Sequence, residues 1–463
     1  MNTNNKMDSV VVVDMKILMI ITVCVISGLC LSSSGYASET DPNTIDPNIV
    51  EPNSITSVAD WVLLANTPSA WGKSFVLTCD IDLTGVTITP IGTLSVPFTG
   101  SIDGNGYVIQ NAQIDSPDDN YVGLIGYLGK EGRVLKLGVE SVSVTGSKFV
   151  GGLTGYSYFG SIEQCYCSGT VTGESEVGGL TGRNSGQIIS CYSTCTVLGN
   201  TLVGGLVGVN KGLSSYVKAS YSIGLPTCTD TNGYSGGLVG NNSGFIYGSF
   251  WDIDTSGLNG SCGGMGLSTD RMKDITIYQN AGWFDWGWTI NNGQDYPKLT
   301  WENADGASIP EAGAIPLNGT GTETDPYEVS TADELSILSR YASILDKYIV
   351  VTSDIEASGI EVCPIGNLGP FTGVFEGGGH VIENLTIAYE TNDYAGLFGI
   401  VHNATISKLG VKNVNVAGNN FVGGLIGCNL GGKVNSCYVT GKVRGESNVG
   451  GLIGYSSVNI SQN

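Results

Sequence analysis

One short phrase constrains this chain more than anything else in it. A Gly-Leu-x-Gly core, most often preceded by Val-Gly, recurs eight times. It reads VGLIG at 122–126, VGGLTG at 150–155 and 177–182, VGGLVG at 203–208, GGLVG at 236–240, AGLFG at 395–399, and VGGLIG at 422–427 and 449–454. Its leucines stand at 124, 153, 180, 206 and 238, then at 397, 425 and 452, so the intervals are 29, 27, 26 and 32 residues, then 28 and 27. A fixed period in this range marks a solenoid or array. The residues between the phrases are rich in Val, Ile, Thr and Tyr, punctuated by Gly, Ser and Asn, with no helical period. Each coil of about 27 residues is therefore expected to make three short strands with three bends, resting on the last coil at the ~4.8 Å strand spacing.

A longer repeat contains the shorter one. SVADWVLLANTPSAWGKSFVLTCDIDLTG from Ser57 matches TADELSILSRYASILDKYIVVTSDIEASG from Thr331, and PFTGSIDGNGYVIQNAQI (97–114) matches PFTGVFEGGGHVIENLTI (370–387). Ser57 with Asp60, and Thr331 with Glu334, have the spacing of a helix capping box. The expected fold is all-β: a parallel β-helix (β-solenoid) in two tandem modules, each opened by a short capping helix. The expected layout is a signal peptide over 1–37, an acidic Pro-rich linker over 38–53, module one over 54–301, a linker over 302–318, and module two over 319–463, read as truncated.

The signal peptide rests on Lys6 and Lys16 before an apolar run from Ile17 to Leu31, with a cleavage site after Ala37. The run is short for a membrane span, and removing it takes Cys24 and Cys30 with it. The chain carries 42 acids against 20 bases, a net charge of −22. Such a chain repels phosphate backbones, so nucleic acid is excluded as a partner. Charged residues are only 13% against 41% apolar, the reverse of a disordered chain.

The period also assigns interior positions. Leu153, Leu180, Leu206, Leu425 and Leu452 should form an inward ladder. The first phrase of each module lacks one glycine, and the added glycine of later coils should mark a bulge. A second ladder follows in Ile162-x-x-Cys165-Tyr166, Ile188-x-x-Cys191-Tyr192 and Val434-x-x-Cys437-Tyr438. Its apolar residue and its Cys differ in strand parity, so both face inward only if the chain bends between them. Cys side by side on adjacent parallel strands suit a disulfide dihedral poorly, so these three read as core thiols. Cys228 and Cys262, in less regular sequence, are the better bridge candidates.

These phrases resemble the GLUG-motif repeat proteins, and the resemblance runs from about Ser54 to Tyr455. It implies a β-helix-like solenoid in an exported or surface protein of bacterial type. It also implies adhesion or extracellular scaffolding, with no agreed catalytic residues. Some immunoglobulin-A metallopeptidases are similar in carrying such repeats beside a zinc domain. Their His-Glu-x-x-His motif is absent here: the two histidines, His380 and His402, are 22 residues apart and neither is followed by Glu.

Candidate chemistry is sparse. Asp80 and Asp82 correspond to Asp354 and Glu356, and Asp103 to Glu376; paired acids could bind calcium or serve a glycosidase. Strand alternation around an inward Ile accounts for the Asp-Ile-Asp phrase without either. Five arginines, at 133, 183, 271, 340 and 444, are scattered. Cys165-x-Cys167 has one intervening residue, too tight for a zinc pair. Trp251, Trp283, Trp286, Trp288 and Trp301 read as a cap over the last coil of module one, or as faces for sugar rings. No catalytic residue, metal site or cofactor is assigned. The leading reading is a non-enzymatic secreted or cell-surface protein for adhesion or scaffolding, with extracellular glycans or surface proteins as partners. The alternatives are a carbohydrate-active β-helix enzyme (polysaccharide lyase or glycoside hydrolase) and a passive spacer.

Overall fold

The computed structural model describes residues 53–457 apart from 213, 361, 390 and 391. The signal segment, Cys24, Cys30 and nearly all of the linker over 38–53 fall outside the described residues. The repeats wind into a parallel β-solenoid. One coil shows the pattern, with strands Ser161–Glu163, Tyr166–Thr172, Ser175–Gly178 and Thr181–Asn184. Each pairs in parallel with the next coil: Ile162 with Ile188, Val171 with Val197, Val177 with Val203, and Thr181 with Val207. The coil has four faces, not the expected three. The extra corner is the Gly-Leu of the repeated phrase itself, which turns the chain between the third strand and the fourth.

The phrase has a physical logic. Its leucine points in: Leu124, Leu153, Leu180, Leu206 and Leu238 are fully buried. Leu153 N–H donates to Leu180 O at 3.0 Å, Leu180 to Leu206 at 2.9 Å, and Leu206 to Leu238 at 3.0 Å. Leu397, Leu425 and the partly buried Leu452 make a separate ladder in the second stack, so there are two ladders rather than one. The glycine before the leucine allows the coils to touch. A Cβ on Gly179 would lie 2.4 Å from Gly205 O and 2.1 Å from Ser193 Oγ. The glycine missing from each first phrase does not mark a bulge in a strand. Val122 pairs with Val150 and Ile125 with Thr154, so the corner holds two residues in the first coil and three in the next.

The bend demanded by the second ladder is present. Gln164, Ser190 and Ser436 all take φ near +53°, and Ile162, Cys165, Ile188 and Cys191 all face the dry interior. Cys167 and Cys195 join them there. All ten cysteines among the described residues are thiols, including Cys228 and Cys262. Each of that pair has its own carbonyl instead: Asn200 O at 2.9 Å for Cys228 and Gly240 O at 3.2 Å for Cys262. The interior carries an asparagine ladder. Asn184 Nδ2 donates to Asn210 Oδ1 at 2.9 Å, and Asn210 Nδ2 to Asn242 Oδ1 at 2.8 Å, which pins the register of a mostly apolar core that also buries Ser and Thr side chains.

Both stacks open on the expected helices, Val58–Ala65 and Ala332–Ile337. Ser57 Oγ accepts from Asp60 N–H, and the Asp60 carboxylate turns back to Thr56. Thr331 and Glu334 form the full reciprocal box. Trp61, Leu64 and Ala65 seal the first coil of stack one, and Ala332 and Leu335 that of stack two.

The tryptophan segment does not act as the expected cap. Tyr166, Tyr192 and Tyr221 form an outward ladder on the second face, with ring centroids 4.9 and 5.0 Å apart. Met265–Leu267 adds one more parallel rung beside Phe250–Asp252, and residues 268–309 then fold back along this ladder. Trp288 packs on Tyr221 and Tyr192, while Trp301 stacks on Tyr166 and donates to Gln164 O at 3.0 Å. Burying this aromatic flank is the segment's structural task, and the strand Ala307–Ser308, within the expected linker, belongs to it.

The end of stack one rests on the side of stack two. Tyr394 hydroxyl donates to Asn242 O at 3.1 Å, Gly248 N–H to Leu368 O at 2.9 Å, and Ser261 N–H to Asn392 Oδ1 at 3.1 Å. Asp393 lies buried in this joint, accepting from Asn419 and Asn420 and meeting the Cys262 thiol. Burial pushes its pKa above the ordinary carboxylate value, against the pull of those donors.

Two outcomes follow. Gly179→Val should cost about 1–3 kcal/mol, the range for overpacking, read as a lower urea midpoint; an unchanged midpoint would contradict the close coil contact. The raised pKa of Asp393 makes the protonated acid the form that the fold favours. Its stabilising contribution is present at low pH and is lost as pH rises through the folded value. Asp393→Asn should therefore gain in thermal midpoint relative to the parent as pH climbs from 4 to 7, and two parallel pH profiles would refute this.

Candidate functional site

The acids singled out in the sequence are not gathered into a site. Asp80 accepts from Val108 N–H at 2.9 Å, and Asp354, its counterpart, from Val381 N–H at 2.9 Å. That backbone bond holds the Asp354 carboxyl below its usual range. Asp82 accepts from Asn111 Nδ2 at 2.9 Å and from Thr84 N–H at 3.0 Å, which lowers its pKa, with the Asn111 bond as the main cause. Glu356 does the same work with Ser358 and Asn384. Asp103 accepts from Asn105 N–H, and Glu376 from Gly378 N–H and Ser407. Each acid is thus tied to backbone, amide or hydroxyl donors on its own or the neighbouring coil, and Asp354 and Glu376 also face His380 and Lys408, a role for outward acids that strand alternation already accounts for. An acid poised for proton transfer needs a raised pKa and a partner acid; Asp82, Asp354 and Glu356 are shifted the other way.

The histidines are also apart. His380 lies at the surface, its Nδ1 3.3 Å from Asp354 Oδ1. His402 faces the Phe245 ring at 5.5 Å, in the joint between the stacks. Cys165 and Cys167 both point into the core on either side of outward Tyr166, and burial pushes both thiols well up. Among the described residues no group of three His, Cys, Asp or Glu could hold a metal. Trp251, Trp283 and Trp288 are buried, and Trp301 is held on Tyr166. Trp286 alone of the five lines an open cleft.

What gathers instead is an aromatic platform on the outside of stack one. Tyr121 and Phe149 stack at 4.8 Å, and Tyr127, Tyr156, Tyr158 and Phe159 continue the patch through contacts of 4.7–6.2 Å. Tyr158 and Phe159 are 42% and 49% exposed. Arg183 lies over Phe149 at 4.5 Å and closes a bidentate pair with Glu176. Burial among the other tyrosines pushes Tyr127 up to about 12.

The platform is built by backbone. Tyr121, Phe149 and Glu176 each precede the Val of a repeated phrase, and each takes φ between +57° and +63°. Large side chains rarely adopt that conformation. Repeated coil after coil, it turns their side chains outward in a row. The same positions in stack two are Tyr394, Phe421 and Asn448, again at positive φ, and Tyr394 stacks on Phe421 at 5.1 Å. There the row is partly covered: Tyr394 reaches Asn242 at the end of stack one, while Phe421 and Tyr455 line an open cleft whose other wall is Ser243 to Phe245. The signal was visible in sequence as the aromatic before each early Val-Gly. What sequence could not show is that this residue leaves the strand's alternation and faces outward.

Comparison with known proteins gives partial matches. Halomucin, from the archaeon Haloquadratum walsbyi, is 33% identical over 152 residues, which is 30% of this chain and 2% of halomucin. A candidate Gly-rich membrane protein of Evansella cellulosilytica is 41% identical over 96 residues, 19% of this chain and 11% of its own length. The matches thus span only a small part of either relative. Among solved structures, the crystal structure of a candidate immunoglobulin A1 protease from Bacteroides ovatus superposes with a TM-score of 0.43 at 20% identity, covering 54% of this chain and 93% of that one. Residues 418–444, one coil of stack two, match the family model described as the GLUG motif, so the resemblance read from the repeats holds: the chain carries the GLUG repeat on a β-solenoid.

Proposed function

We propose that this chain is a non-enzymatic, extracellular binding scaffold, and that the aromatic platform of stack one is its adhesive face toward a partner protein. One observation carries the reading: the equivalent row in stack two is already used for a contact between parts of the protein, with Tyr394 bonded to Asn242 at the end of stack one. Stack one presents a larger version of the same surface, with Tyr158 and Phe159 exposed. Apolar patches of this kind on a soluble surface mark interaction sites. The ring arrangement favours a protein over a sugar here. Tyr121, Phe149 and Tyr156 stack on one another, and Arg183 covers Phe149, so these rings spend their faces on each other.

A non-enzymatic role is supported by the acids, each bonded to its own donors and none to another acid, and by the scatter of the arginines, of which Arg133 and Arg183 sit in separate pairs with Glu163 and Glu176. An extracellular setting is supported by the export-type N-terminus and by a relative described as a membrane protein. Among the described residues no helix is long and apolar enough to cross a membrane.

The double variant Tyr158→Ser/Phe159→Ser should leave the circular dichroism and thermal midpoint nearly unchanged. It should also reduce retention of beads bearing the full chain on a panel of matrix-protein and mucin surfaces at least fivefold. Equal retention of parent and variant on every surface would sink the reading.

A further inference from the structure

A second opening differs in chemistry from the platform. It lies where three parts of the chain meet: the flank loop over 281–286, the last coils of stack one at Lys218 and Tyr247, and the first coil of stack two over 342–347. The cleft holds about 750 Å³ and is lined by Trp286, Phe284, Tyr247, Lys218, Asp285 and Asp346, among others. Junctions of this kind are where ligand sites tend to form.

Its polar groups are partly uncommitted. Lys218 Nζ sits 4.1 Å from the centroid of the Trp286 ring and has no carboxylate partner among the described residues. Burial lowers its pKa, the mark of an ammonium short of polar company. Asp285, next to that indole, takes φ +61° and forms no ion pair among the described residues. On the opposite wall Asp346 and Lys347 pair at 3.0 Å. Two acids and two ammonium groups thus cancel in formal charge. A polyanion would gain nothing here and would face a chain of net charge −22. A polycation would meet Lys218 and Lys347 at the cleft itself. The ligand that uses every group is uncharged, has an apolar face for the aromatic wall, and carries hydroxyls that can both donate and accept.

We infer that this cleft binds a neutral saccharide. A pyranose lays its C–H face on Phe284 beside the Lys218–Trp286 pair, accepts a hydrogen bond from Lys218 and donates one to Asp285. The site goes beyond the protein-docking reading of the platform and uses none of its residues, so either can fail alone.

The test uses the full chain with neutral manno-, gluco- and galacto-oligosaccharides, set against an oligogalacturonate of the same length, by calorimetry and saturation-transfer NMR. At least one neutral oligosaccharide should bind with a dissociation constant of millimolar or better. Trp286→Ala and Lys218→Gln should each weaken it tenfold or more, and exposed Asp285→Asn, the variant least able to disturb folding, at least threefold. Tyr158→Ser/Phe159→Ser should leave it unchanged. No binding by any neutral oligosaccharide, tighter binding of the oligogalacturonate, or binding indifferent to all three cleft variants would overturn the inference.

Discussion

Everything in this molecule depends on one coil lying in register on the next at hydrogen-bonding distance. At the corner between the third and fourth faces the coils come so close that a Cβ on Gly179 would enter the carbonyl oxygen of Gly205. The leucine beside such a glycine turns inward, and at Leu153, Leu180, Leu206 and Leu425 its N–H reaches the leucine carbonyl of the following coil. Close approach and inward anchor are thus adjacent residues of one phrase. That is why the phrase repeats as a unit while the rest of the coil drifts. The buried Asn184–Asn210–Asn242 ladder adds directional bonds that a slipped register would break.

A second consequence of strict stacking is that outward residues also align. Tyr166, Tyr192 and Tyr221 fall into a column on the second face, and Tyr121, Phe149 and Glu176 into a row beside the motif corner. A column of aromatics is a large apolar surface that water disfavours. The chain resolves the first by folding residues 268–309 over it. In stack two it resolves the counterpart of the second by seating the end of stack one on Tyr394. The platform of stack one is left with Arg183 across part of it and Tyr158 and Phe159 exposed. Surfaces available for binding therefore arise as by-products of periodicity, and what distinguishes them is which are covered from within.

Much of this was legible in the residues. The period, the inward leucines, the parity argument that forces a bend at Gln164, and the capping helices at Ser57 and Thr331 each follow from spacing and side-chain chemistry. So does the plain reading of the Asp80-Ile81-Asp82 acids as outward partners of local donors. The errors share one cause. A three-faced coil, a glycine bulge and a tryptophan end-cap were each inferred along the chain, whereas the four faces, the three-residue corner and the covered tyrosine flank are set by what lies beside the chain. Cys228 and Cys262 failed as a pair for the same reason: irregular local sequence says nothing about distance, and each thiol finds its own carbonyl.

The sequence by itself determined the repeating unit, because strand alternation, glycine's missing Cβ and leucine's demand for burial act within a few residues. Only the tertiary structure decided which outward rows are buried, where the two stacks touch, and that Trp286, Lys218 and Asp285 share an opening. Those outcomes rest on contacts between residues up to some 150 positions apart, such as Tyr394 with Asn242. No local preference encodes a meeting of that kind; it exists only once the coils have stacked.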